Sequence, residues 1–183
     1  MIKYHNYLMH RRYLIQYVDI KRFTYKFVVA YGQCRDGWLN RGNSCYHISH
    51  EKRNWVDASE MCKFDGGYLL EVNNADEGHF LEHQVKLFNF PEDGAWLGAT
   101  DNMLKGDWVW AHSNTLLSSR PYTHWAPGEP NDLGGNENCL IINNNGFWND
   151  RDCSTVFHYI CETDAVYGLV ILSTTLTWSQ IPL

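Results

Sequence analysis

Six cysteines, at positions 34, 45, 62, 139, 153 and 161, constrain the fold more than any other feature of this 183-residue chain. An even number in a chain of this size points to a disulfide framework formed in an oxidising compartment. Zinc chemistry would need close pairs of the C-x2-C kind, and no two cysteines here lie that near. Spacing alone leaves about 15 ways of pairing six thiols.

The rest of the composition agrees with a packed domain carrying extensions. Hydrophobic residues make up 44% and aromatic residues 15%, with 8 Trp and 11 Tyr, so the middle of the chain has the material for a core. The net charge of -6 is unevenly spread: residues 1–33 hold six basic side chains against Asp19, a local +5, which leaves -11 for the remainder. An acidic domain argues against a nucleic-acid role and agrees with cation binding.

One stretch gathers that acidity with amides and glycines. Between Glu129 and Asp150 the chain reads EPNDLGGNENCLIINNNGFWND, which puts Glu129, Asn131, Glu137, Asn149 and Asp150 close in sequence. All five carry hard oxygen donors, and carboxylates brought together repel unless a cation screens them. Ca2+ suits such a set, because it takes about 6 to 8 oxygens from carboxylates, amides, backbone carbonyls and water. Five side chains and one backbone carbonyl would leave about two positions open for a ligand. Any one of these residues alone would be an ordinary solvated loop residue.

The Glu129-Pro130-Asn131 triplet, then Glu137-Asn138, then Trp148-Asn149-Asp150, resembles the sugar-binding calcium site of C-type lectins, including perlucin-like invertebrate lectins. The resemblance extends over about 34–162 and includes the core-strand signature Trp96-Leu97-Gly98-Ala99. It implies an α+β fold, with two helices flanking small antiparallel sheets, a long calcium-binding loop and three disulfides. The implied pairs are Cys34 with Cys45, Cys62 with Cys161 and Cys139 with Cys153, the first being the extra N-terminal pair of long-form members. It also implies a cis Glu129–Pro130 bond and a sugar whose vicinal hydroxyls meet the metal. Glu129 or Glu137 would accept hydroxyl protons, while Asn131 or Asn149 would donate through its NH2. The Glu-Pro-Asn order goes in the family with mannose, glucose, N-acetylglucosamine and fucose, and Gln-Pro-Asp with galactose. Gly134-Gly135 could reshape the loop and admit other sugars.

A second calcium site of the family would fall here on Asp101, Asp132 and Asn138, with Glu137 shared. Lys105 stands where relatives commonly carry Glu, and Asn138 where they carry Asp; a cation in place of an anion makes a dication unwelcome. On α-helical spacing, His79-Phe-Leu-Glu-His83 matches an inverted zinc-protease pattern, with both imidazoles on one face. No third ligand or cleft is visible for it, and no G-x-S-x-G elbow is present. No catalysis is expected.

Local signals place the elements. Asn54 caps a helix bearing Trp55, Ala58, Met61, Cys62 and Phe64, ended by Gly66-Gly67. Asn74 with Glu77 resembles a capping box for a helix over 75–88, with Leu81, Val85 and Phe88 on one face. Strands are expected at 68–72, 96–99, 107–110, 139–142, 147–149 and 158–161. Residues 1–33 lack sustained periodicity; Phe27–Gly32 resembles the end of a secretory signal, so the mature chain is expected to begin near Gln33. Residues 163–183 read as an uncharged, dispensable tail after Asp164, and membrane attachment is not expected.

These readings converge on a secreted, extracellular lectin binding mannose-type glycans through Ca2+, in microbial-surface recognition or adhesion. One shallow site binds weakly, so avidity would need several domains, and homo-oligomerisation would have to come from the domain's own surface. The alternative is a lectin-like module for protein or mineral-matrix contact in which calcium is structural.

Overall fold

The structure, a computed structural model, describes residues 13–19, 24–90 and 94–175, with side chains over 33–90 and 94–166. Parts of the expected N-terminal extension (1–12, 20–23) and C-terminal tail (176–183) lie outside the described residues.

Both helices form where local capping dictates. Helix α1 (Trp55–Phe64) starts at Asn54, whose side-chain oxygen accepts the Asp57 N–H at 2.9 Å. It buries Ala58 and Cys62 and leaves Phe64 exposed. Helix α2 (Ala75–Phe88) starts at Asn74, which accepts the Glu77 N–H at 3.0 Å. Glu77 does not return a bond to the cap; it is buried, accepting the Asn73 N–H at 2.7 Å and the Tyr46 hydroxyl at 2.5 Å. Leu81 and Val85 lie fully in the core and Phe88 packs against it, the one-faced pattern expected.

The main sheet is built on β11 (His158–Asp164), which carries β4 (Ser44–Ile48) antiparallel on one side and β6 (Ala95–Thr100) parallel on the other. Beyond β4 lies β3 (Leu39–Arg41). Beyond β6 come β9 (Glu137–Ile142) and then β10 (Trp148–Asp152), both antiparallel. Short strands β5 (Tyr68–Leu69), β7 (Val109–Trp110) and β8 (Thr115–Leu116) add to β11, β6 and β7. Strand alternation divides the core. Leu97, Leu140 and Ile142 pack with Leu81 and Val85 of α2, while Trp96, Cys139 and Ile141 pack with Ala58 and Cys62 of α1. At Gly98 the sheet approaches the chain so closely that a Cβ would sit 2.4 Å from the Leu69 carbonyl oxygen.

Three disulfides close the pairs Cys34–Cys45, Cys62–Cys161 and Cys139–Cys153. A separate antiparallel sheet joins β1 (Tyr13–Asp19), β2 (Thr24–Gln33) and β12 (Val166–Thr175) in the order β1-β2-β12. Segments that lack a helical or alternating signature in sequence thus pair with one another, from Gln33 opposite Val166 to Thr24 opposite Thr175. The segment resembling a signal end, 27–32, lies inside β2.

Candidate functional site

An aromatic platform supports the long loop between β8 and β9. Trp148, fully buried at the start of β10, meets Trp110, Trp125 and Tyr122 edge to face, with ring centroids 5.7 to 6.0 Å apart. Its N–H donates to the His124 carbonyl at 2.7 Å, and its carbonyl accepts the Ala126 N–H at 2.8 Å. The chain therefore enters the Glu129–Asn131 segment along a rail set by β10. The Glu129–Pro130 bond is cis.

Asp150 anchors the far side. It is fully buried on β10, opposite Leu140 of β9, and its carboxylate accepts the N–H groups of Asn131 at 3.1 Å and Asp132 at 2.7 Å. Glu137, at the start of β9, is nearly as buried; it accepts the Leu133 N–H at 3.0 Å and lies 3.5 Å from Arg151 Nη1. Glu129 adjoins Asp150. Burial raises the Glu129 pKa, the Asp150 and Glu137 carboxylates raise it further, and Arg151 works against them. Two oxygens of the set, Glu129 Oε2 and Asn149 Oδ1, are buried without a hydrogen-bond partner. Asn131 is held by its backbone, and its side chain is exposed.

Among the described residues no three His, Cys, Asp or Glu side chains gather tightly enough to hold a metal by themselves. The donor set is thus mixed, carboxylates supplemented by amide oxygens, which is the chemistry a hard, flexibly coordinated cation such as Ca2+ accepts. Buried oxygens lacking a proton donor, beside the Asp150 and Glu137 carboxylates that raise the Glu129 pKa, fit a cation better than a neutral ligand.

Asp101, Asp132 and Asn138 also come together, around a side chain. Lys105 Nζ lies 2.7 Å from Asp132 Oδ1, 2.7 Å from the Glu137 carbonyl oxygen, 3.0 Å from Asn138 Oδ1 and 3.4 Å from Asp101 Oδ2. Burial opposes the ammonium charge, but Asp132 and Asp101 outweigh it and raise the Lys105 pKa.

His79 and His83 are exposed on α2; Glu82 between them pairs with Lys86 at 2.5 Å, and the His79 ring faces Tyr122. Sequence reasoning overlooked Arg151, whose guanidinium donates to the Asp150 carbonyl at 3.1 Å, and an open polar cleft of about 310 Å3 lined by Asn143, Asn144, Asn145, Asn149 and Arg151. The run Asn143-Asn144-Asn145 next to Trp148-Asn149-Asp150 was the signal available for the cleft.

Residues 51–163 match the family model described as Lectin C-type domain. The chain is 31% identical over 140 residues to perlucin of Haliotis laevigata, covering 73% of this chain and 84% of that protein. It is 35% identical over 132 residues to lactose-binding lectin l-2 of Anguilla japonica, covering 71% and 78%. The crystal structure of the cow C-type carbohydrate-recognition domain of CD23 in the presence of GlcNAc2Man3 oligosaccharide superposes with a TM-score of 0.65 at 29% identity, covering 74% of this chain and 98% of that one. Other relatives are longer, and the chain spans as little as 40% of the length of the curated proteins it matches.

Proposed function

The chain belongs to the C-type lectin domain family, and on that premise we propose that it is a calcium-dependent carbohydrate-binding lectin of mannose-type specificity. Glu129, Asn131, Glu137, Asn149 and Asp150 would hold one Ca2+. Family homologues are non-enzymatic carbohydrate-binding proteins, and the chain is not an enzyme. The observation that carries the proposal is the pair of buried, partnerless oxygens, Glu129 Oε2 and Asn149 Oδ1, beside the Asp150 carboxylate.

When bound, the cation would supply positive charge and open coordination positions for hydroxyl oxygens. The chain's own residues do the rest. Glu129 and Glu137 would accept hydrogen bonds from two vicinal hydroxyls, and Asn131 and Asn149 would donate NH2 hydrogen bonds to the hydroxyl oxygens. Asp150 keeps the loop on β10 through its two backbone bonds. The order of acceptor then donor in Glu129-Pro130-Asn131 supports the mannose-type preference, over mannose, glucose, N-acetylglucosamine and fucose. The names of relatives point both ways, since one is a lactose-binding lectin and one structure was determined with a mannose-containing oligosaccharide. Asn149 of the proposed set also lines, with Arg151, the open polar cleft beside it. Three disulfides support an extracellular setting. No described helix is long and apolar enough to cross a membrane.

The test is retention of the full chain, displayed as multimers, on immobilised mannose in calcium. Release by chelator and by free mannose, but not by galactose, is expected. Flow-through of the folded multimer would overturn the sugar-binding proposal in favour of protein or matrix contact.

A further inference from the structure

We propose that Lys105 is the resident cation of a second site, taking the place of a metal ion among Asp101, Asp132, Asn138 and the Glu137 carbonyl, and that it presets the loop carrying the sugar-binding residues. The inference rests on the proposed calcium site at Glu129–Asp150, whose loop it concerns.

The ammonium is tied to three separate segments: the loop after β6 (Asp101), the long loop (Asp132) and the first two residues of β9 (Glu137 and Asn138). An ammonium has three N–H donors. Asp132, the Glu137 carbonyl and Asn138 lie at hydrogen-bond distances, while Asp101 at 3.4 Å contributes mainly charge. Asp101 is itself fixed, its side chain 1% exposed and its Oδ2 accepting the Gly106 N–H at 2.9 Å. Its other oxygen is buried without a partner. Two carboxylates thus face one another, and Lys105 supplies the positive charge between them.

Asp132 transmits the effect. Its Oδ1, which accepts from Lys105, also accepts the Glu137 N–H at 3.0 Å. Its own N–H donates to Asp150 Oδ2, and the next N–H, of Leu133, donates to Glu137 Oε2. Asp132 adopts the left-handed region, at φ 50° and ψ 48°, which residues with a side chain adopt rarely. The surrounding bonds hold it there. Removing the ammonium removes one side of that enclosure and leaves Asp101 and Asp132 unscreened, so the turn that presents Asn131 and Glu137 loosens. A second calcium ion in this place would have to displace Lys105, so the chain takes one.

The experiment uses the full chain and two readouts. Calcium titration by calorimetry counts ions, and amide hydrogen exchange in chelator reads the loop, with amides of β6 and β9 beyond Asn138 as the internal control for folding. Wild type is expected to bind one calcium and to protect the amides of Asn131, Asp132, Leu133 and Glu137 without metal. Lys105→Met is expected to exchange those amides faster and to weaken calcium binding by about tenfold, with Lys105→Arg retaining part of both. Lys105→Glu is expected to bind two calcium ions and to regain loop protection only with calcium. Unchanged loop protection in Lys105→Met, or two calcium ions in wild type, would overturn the proposal. If wild type binds no calcium, the sugar-site proposal fails, while loop exchange in chelator still decides the role of Lys105.

Discussion

The backbone N–H of Asp132 donates to Asp150 Oδ2 at 2.7 Å, fastening the tip of the long loop to a strand 18 residues further on. Asp150→Asn keeps the size but removes the charge and one of two acceptors. Calcium affinity should fall by about a hundredfold and mannose retention should be lost. Calorimetry with calcium checks the first outcome, and a mannose column the second.

The Glu129-Pro130-Asn131 triplet offers an acceptor before a donor. Exchanging the two, in Glu129→Gln with Asn131→Asp, reverses that order while leaving an oxygen donor at each position. Preference should move from mannose toward galactose, read by competitive elution from an immobilised glycan. Unchanged selectivity would show that other residues decide it.

Glu162 is buried in the core beside other acids. Burial, and secondarily the Glu77 carboxylate, push its pKa up to about 7, against a lowering hydrogen bond from Ser44. Its folded pKa thus lies above the unfolded value of about 4.5, so the folded state binds the extra proton between them. The associated stability is complete below the unfolded value and is lost as pH rises toward 7. Glu162→Gln, which never ionises, should stabilise the domain at neutral pH by an amount of the order of a few kcal/mol and flatten its stability between pH 5 and about 7. Denaturant unfolding of both proteins across that range checks it; equal slopes would contradict it.

Gly98→Ala places a methyl group 2.4 Å from the Leu69 carbonyl oxygen, within a backbone network where Gly98 N–H donates to Leu70 and Gly98 C=O accepts from Ala111, both at 2.8 Å. Neither neighbour can yield without breaking a strand. A loss of about 1 to 3 kcal/mol is expected from overpacking, measured by chemical denaturation.

Features dictated by near neighbours were legible from the chain alone. Asn54 and Asn74 cap their helices because each reaches an N–H only three residues away. Leu81 and Val85 sit one turn apart and necessarily share a face. The oxygen donors of the long loop cluster in sequence, so their chemistry could be recognised there, and the resemblance they carried identified the fold.

Relationships across distant segments were decided only by tertiary structure. Glu77 bonds Tyr46 instead of its own cap because the fold delivers a hydroxyl from β4. Parallel pairing of β6 with β11, and antiparallel pairing of β2 with β12 in a sheet of its own, depend on contacts that no local pattern specifies. Lys105 is the clearest case. In sequence it was a charge of the wrong sign at a family position; in space its ammonium meets four oxygens from residues up to 33 positions away. A lone charge is described by its sign, but its role follows from what the folded chain brings within hydrogen-bond reach.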